Sequence, residues 1–213
     1  MLYFVIKQAT RIPESELLKM YRLRYKIAVD QWGWNIPTAK RGLDKDQFDT
    51  RFTTYILVYN QNSEMVACGR LNPTVQPHLL SEIFPHQCEF SGVPKGKSIQ
   101  EFSRFIVDPS KLTHAQQVRL YLQICLVATE YAISIGLKQL TWLTNKSKYV
   151  KSIVVWKTRP LGLPQHYPED DAEYIAAIMD TTDEAVRRLR RFCKLEGPIP
   201  LSDIPIYNSA QAA

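Results

Sequence analysis

The chain has 213 residues, 45% of them hydrophobic and 23% charged, with a formal net charge of +6. That is the composition of an ordinary soluble globular protein, long enough for one good core, so one domain over 1–213 is expected. The positive balance favours an acidic partner, and nucleic acid, an anionic membrane and an acidic carrier protein all fit.

Leu2 to Lys7 is rich in β-formers and predicts a first strand. It has no basic leader and no small-residue cleavage site, which argues against a signal peptide and for a cytoplasmic protein. Ser15 stands where a helix cap would, with Leu17, Leu18, Tyr21, Tyr25 and Ala28 at helical spacing up to Gly33. Gln31 to Phe52 is polar, aromatic and without a period, as functional segments often are. Thr54–Tyr59 and Met65–Leu71 read as a hairpin across Asn60-Gln61-Asn62-Ser63. A short helix follows at Leu79–Phe84, then a strand at Ser98–Val107 stopped by Asp108-Pro109. Thr113 to Gly136 predicts the long helix. Its apolar run is broken by Gln123, Thr129 and Glu130, so it is a buried amphipathic helix and not a membrane span. Gln139–Leu143 is a buried strand and Lys146–Trp156 a basic helix. Tyr174–Met179 is a last strand and Thr182–Lys194 a last helix, with a proline-rich irregular tail after Gly197. One hairpin within a loose alternation of strands and helices predicts an α/β fold, a three-layer α/β/α sandwich with a mixed central sheet.

Cys68, Cys88, Cys125 and Cys193 show no paired spacing and read as free thiols. His86-Gln87-Cys88 could be half a metal site, but no second half follows, so no metal is expected. Neither common glycine-rich nucleotide cradle occurs.

Three clusters carry chemistry-bearing side chains. They are Asp44-Lys45-Asp46-Gln47-Phe48-Asp49, Gly69-Arg70-Leu71-Asn72-Pro73-Thr74 and Glu101-Phe102-Ser103-Arg104-Phe105, with Arg24 and Trp34 flanking the first. Each alone has an ordinary explanation: a solvated loop, a strand arginine in a structural pair, a common strand pattern. In this order and at this spacing, together with Pro77-His78-Leu79-Leu80-Ser81-Glu82-Ile83-Phe84, they resemble the LuxI-type acyl-homoserine lactone synthases. The likeness is strong over about the first 110 residues. The chain departs from the family pattern at Ala28, where an aromatic residue is usual, and at Asp44, where glutamate is usual.

The resemblance implies a GNAT-like acyltransferase fold, S-adenosylmethionine as a substrate with no separate cofactor, and acyl-carrier protein as acyl donor. Residues 1–110 would form the S-adenosylmethionine and catalytic region, 111–197 the acyl-chain and carrier region, and 198–213 a tail. Amide formation needs a neutral amine, and Glu101 is by resemblance the candidate base, with Ser103 beside it. Arg24, Trp34, Asp46, Asp49, Arg70 and Arg104 are the candidate S-adenosylmethionine residues: carboxylates for its cationic groups, forked donors for its carboxylate. Thr144 is the candidate acyl-chain residue, its hydroxyl suited to a 3-oxo group, although its position also suits a helix cap. From Lys138 to Arg159 there are six basic residues and no acidic ones, so Lys146, Lys148, Lys151, Lys157 and Arg159 are the candidate carrier-docking set. A nucleic-acid-binding module, suggested by Arg187 to Arg191, leaves Asp46, Asp49 and Glu101 without a role. Another GNAT-like acyltransferase using acyl-coenzyme A is the nearer alternative.

Overall fold

The computed structural model describes residues 1–168 and 171–204. Glu169, Asp170 and residues 205–213 of the tail lie outside the described residues. The strands are β1 (Leu2–Gln8), β2 (Thr54–Asn60), β3 (Met65–Pro73), β4 (Ile99–Val107), β5 (Gln139–Asn145), β6 (Arg159–Pro160), β7 (Gln165–Tyr167) and β8 (Ala172–Asp180). The helices are α1 (Glu14–Arg24), α2 (Leu79–Glu82), α3 (His114–Ser134), α4 (Lys146–Trp156) and α5 (Asp183–Cys193). The sheet order is β1-β2-β3-β4-β5-β8-β6, with β7 also on β8. Among the described strand pairings β4–β5 is parallel and the others are antiparallel, so the sheet is mixed as expected.

Alternation along the strands decides the layers, because successive side chains point to opposite faces. Phe4, Ile56, Val58, Phe102, Leu140 and Trp142 pack with α3, α5 and Trp156 of α4. Val5, Tyr55, Leu57, Tyr59 and Ile106 pack instead with Met20, Tyr21 and Leu23 of α1. Leu80 of α2 joins Ala176 and Ile178 in a smaller cluster, with Leu143 against it. Three layers result.

Two irregularities place the site. Pairing of β4 with β5 covers only Ile99–Glu101 against Gln139–Thr141, after which no pair links them. In β4 the register against β3 slips, since Cys68 faces Ile106 and Arg70 faces Ser103. Arg104 and Phe105 therefore oppose Gly69 alone, and Arg104 takes φ 51, the left-handed value of a bulge residue. Gly69 fits because a Cβ there would come within 2.7 Å of the Phe102 ring.

Several boundaries differ from expectation. α1 is capped at Pro13, with Glu14 and Glu16 in its first turn, and widens into a π-helical stretch at Tyr25–Gln31. Such stretches often mark functional segments, and this one ends beside Trp32 and Trp34. Asn145, not Thr144, caps α4, accepting from the Ser147 N–H at 2.9 Å. β6 and β7, of two and three residues, were not predicted, because they are too short to show a period. The tail is not wholly free: Leu201 bridges to Phe4 and the Ser202 N–H donates to the Phe4 carbonyl, covering part of the β1 edge.

Candidate active site

α1, the loop before β2, β3 and the β4 bulge bring three arginines and three aspartates together. Arg24 donates to Asp44 at 3.1 Å and to both oxygens of Asp49 at 2.8 and 3.1 Å. Arg70 donates to Asp46 and, at 3.0 Å, to the Ser103 hydroxyl, and lies 3.1 Å from Asp49. Arg104 holds Asp44 at 2.8 Å and lies 3.0 Å from Asp46. The Tyr55 hydroxyl also donates to Asp49. The side chains of Arg24, Arg70, Asp44 and Asp49 are fully buried, so the pairing is what makes their charges tolerable. Burial opposes charge on Asp49, but Arg24 and Arg70 outweigh it and hold the carboxyl well below the usual range. Burial and the Asp49 charge push the Tyr55 phenol up, so it stays a donor.

Two members of this network reach a pocket wall. Asp46 Oδ2 is buried, 3.0 Å from Arg104 Nη2 as an ion pair, and has no hydrogen-bond partner among the described residues. Arg104 is the one arginine of the three whose pKa is lowered, by burial and by repulsion from Arg24, with Asp44 pulling the other way. Both line a pocket of about 590 Å³, within the size range of small-molecule sites. Trp34, Phe48 and Ser103 line it too, as do Leu79, Ile83 and Phe84 after β3, and Leu143, Tyr167 and Tyr174.

The structure thus divides the six expected S-adenosylmethionine residues. Trp34, Asp46 and Arg104 line the pocket; Arg24, Asp49 and Arg70 stand behind it and hold the acidic loop in place. Trp34 packs on Trp32 with ring centroids 5.0 Å apart. Ser103 is in the wall, fixed by Arg70. Glu101 is buried, and its two oxygens accept from the backbone N–H groups of Leu79 at 3.0 Å and Leu80 at 2.7 Å. It therefore satisfies the first turn of α2, whose donors have no partner within the helix. Burial raises the Glu101 pKa above the usual carboxylate value, against the pull of those N–H groups and of His78. Phe84, Tyr167 and Tyr174 were missed as pocket residues. The two tyrosines come from the hairpin of β7 and β8, and no local pattern shows that it folds back on α2.

Thr144 is buried on the same face of β5 as Trp142, away from the pocket face of Leu143. Of the docking set, Lys146 pairs with Glu173, Lys157 with Glu184 and Arg159 with Asp180. Lys148 places its ammonium between the rings of Trp32 and Tyr121, 5.3 and 5.5 Å from their centroids. Lys151 is exposed on the α4 face that also exposes Val150, Ile153 and Val154. Among the described residues no group of three or more His, Cys, Asp or Glu is placed to hold a metal. No described helix is long and apolar enough to cross a membrane.

The family profile for autoinducer synthases matches residues 8–189. The chain belongs to the autoinducer synthase family. An acyl-homoserine-lactone synthase from Acinetobacter baumannii is 34% identical over 132 residues, 60% of this chain and 72% of its own length. BjaI, a coenzyme A-dependent acyl-homoserine lactone synthase solved with S-adenosylmethionine and isopentyl-coenzyme A, superposes with a TM-score of 0.83. It is 24% identical, covers 98% of this chain and 96% of its own, and shows the shared fold. MesI, another coenzyme A-dependent member, has a TM-score of 0.78 at 27% identity, over 92% and 97% of the two chains. The synthase is thus an acyltransferase of autoinducer formation with the GNAT-like fold that its motifs imply.

Proposed function

We infer that this synthase transfers an acyl group from a thioester to the amine of S-adenosylmethionine and then closes the homoserine part to a lactone. The observation that carries this is the pairing of Asp46 and Arg104 in one pocket wall, beside Ser103 at the β4 bulge. S-adenosylmethionine offers an ammonium to Asp46 and a carboxylate to Arg104, the member of the three arginines that reaches the pocket wall. Trp34 and Phe48 supply apolar wall around the sulfonium.

In the first step the amine nitrogen attacks the thioester carbon, the proton leaves nitrogen, and the C–S bond breaks to release the thiol. Glu101 is the proposed base, acting through water, because its own oxygens are held by α2. The bulge is the proposed source of backbone donors for the oxyanion, since its residues Ser103 and Arg104 line the pocket. In the second step the carboxylate oxygen attacks the carbon beside sulfur, that C–S bond breaks, and methylthioadenosine leaves. Folding the bound substrate back on itself is a proximity effect that needs no protein nucleophile.

Acyl-carrier protein is the donor this reading favours. The exposed α4 face offers Lys151 beside Val150, Ile153 and Val154, a basic group on an apolar patch that suits an acidic carrier helix, with Lys148 against Trp32 and Tyr121 at another side of the helix. Such a reaction belongs in the cytoplasm. Acyl-coenzyme A is the second reading, favoured by the coenzyme A dependence of BjaI and MesI. Offering the protein S-adenosylmethionine with one acyl group on both carriers separates the two by kcat/KM. Reversing Lys148 and Lys151 to Glu is expected to raise KM for the carrier-bound donor, more at low salt than at high salt, because exposed charges are screened over about 8–10 Å. An unchanged KM would move the docking face away from α4.

Thr144 is proposed to face the acyl chain through the gap where β4 and β5 part. A buried hydroxyl left without a partner costs about 1–3 kcal/mol, so a 3-oxo chain would be preferred about tenfold or more. Thr144→Val should erode that preference in a mixed donor pool. Unaltered product ratios would end the assignment.

A further inference from the structure

Glu101 stands one step behind the pocket wall. Ser103, two residues along the same face of β4, lines the pocket, as does Leu79, whose N–H holds one Glu101 oxygen. The register sets the neighbours of Glu101. Asn72 of β3 lies opposite it on one side and Thr141 of β5 on the other. Side chains paired in this way share a face, with Cβ atoms about 4.5–5.5 Å apart. Both are buried, and Asn72 Nδ2 and Thr141 Oγ1 have no hydrogen-bond partner among the described residues.

His78 completes the cluster. It is the N-cap of α2, and the two residues after it, Leu79 and Leu80, give Glu101 its N–H groups. Its ring is fully buried, with Nδ1 2.9 Å from the Gln76 carbonyl. A carbonyl only accepts, so Nδ1 carries the hydrogen and the neutral ring keeps a lone pair on Nε2. Nε2 also has no hydrogen-bond partner among the described residues. Buried polar atoms are nearly always paired, so three unpaired ones around one carboxylate need a reason. Holding Glu101 is not that reason, because it takes only the backbone of α2. The other ionisable groups against Glu101 are Arg70, whose charge favours the carboxylate, and Cys88, whose thiol is pushed up to about 11 by burial and by the Glu101 charge. Both already carry their protons. His78 is the neighbour with a basic site to offer.

The reaction has a use for one. S-adenosylmethionine enters as an ammonium, and its nitrogen ends as an amide with a single hydrogen. Two protons therefore leave nitrogen, one before the attack and one after it. The departing sulfur takes one of them, and the protein must hold the other. We propose that His78 is a second proton site for acylation, taking the first amine proton from Glu101 at Nε2 so that Glu101 is ionised again for the second. The proposal rests on the reading of this pocket as the site of that acylation. The first proton passes from the ammonium through water to Glu101 and on to His78. The amine attacks the thioester carbon, Glu101 takes the second proton, and the sulfur receives it as the C–S bond breaks. The proton on His78 returns by the same path once product has left. Asn72 and Thr141 supply polar partners for the water through which Glu101 acts. His78 acts through Glu101 and does not itself touch substrate.

His78→Asn keeps a donor for the Gln76 carbonyl and removes the basic nitrogen. At pH 7 its kcat/KM for S-adenosylmethionine is expected to fall toward the low end of the about 10²- to 10⁴-fold range of acid–base catalysis. The deficit should close as pH is raised to about 9, past the about 7.7–8.0 of an α-amine, because a substrate that arrives neutral has only one proton to lose. Glu101→Gln should keep its deficit across the same range, since the second proton still needs a base. His78→Phe, which keeps a buried ring, serves if the asparagine variant does not fold. A deficit that is the same at every pH overturns the proposal and leaves His78 as part of the α2 cap. Wild-type kcat/KM in both variants at pH 7 also overturns it. Wild-type protein that does not acylate S-adenosylmethionine at any pH overturns the reading of the pocket itself, and the second proton site with it.

Discussion

Asp49→Ala is expected to destabilise the protein by about 3–5 kcal/mol, because it takes one of the carboxylate partners from each of two buried arginines at once. Asp49 takes two hydrogen bonds from Arg24 and one from Tyr55, and lies 3.1 Å from Arg70. A loss of that size is a large share of the about 5–15 kcal/mol by which domains are stable. Alanine at the exposed Asp30 should shift stability by no more than about 0.5 kcal/mol. Denaturant unfolding of both variants makes the comparison. The pH dependence carries its own signature. The folded-state pKa of Asp49 lies below its unfolded value, so its contribution is full above the ordinary carboxylate range and is lost as pH falls through the depressed value. Asp49→Ala should remove that part of the acid sensitivity. A variant as stable as wild type would mean that the six-residue network is not what holds the acidic loop.

Glu101→Gln is expected to lower turnover by about 10²- to 10⁴-fold, the usual range for a lost general base. The substitution also touches structure, because a glutamine offers one carboxamide oxygen where Leu79 and Leu80 present two N–H groups. The two roles separate in kinetics. Loss of the cap alone would disturb α2, and with it Leu79, Ile83 and Phe84 in the pocket wall, and would appear as a raised KM for S-adenosylmethionine. Loss of the base appears in kcat. A base must be ionised, so wild-type turnover should rise with pH through the raised Glu101 value, and the variant should lose that limb. Near wild-type kcat with a raised KM would leave Glu101 as the cap of α2 and nothing more.

The layers and most elements were legible because their residues repeat at 2 or 3.6 positions. Ile56 and Leu57 alternate between the two cores, and Thr113 and Thr182 cap their helices with side chains that the sequence shows. The order of the charged motifs gave the family. It did not give the division of labour, because burial decides that. Asp46 and Asp49 are the same residue type three positions apart, yet one faces the pocket and the other is enclosed by Arg24, Arg70 and Tyr55. The pairing within the basic run at Lys138–Arg159 was not legible either, since Glu173, Asp180 and Glu184, distant in sequence, each pair with one of its members. Tyr167 and Tyr174 reach the pocket only through long-range pairing, which leaves no local pattern to read.

One pocket is proposed both to acylate S-adenosylmethionine and to expel its nucleoside. Incubating the purified protein with S-adenosylmethionine and an acyl thioester, then quantifying both products by mass spectrometry, tests it most directly. Acyl-homoserine lactone and methylthioadenosine are expected in equal amounts, both falling together in Arg104→Ala. An acylated product that accumulates without methylthioadenosine, or product that forms without S-adenosylmethionine, would contradict it.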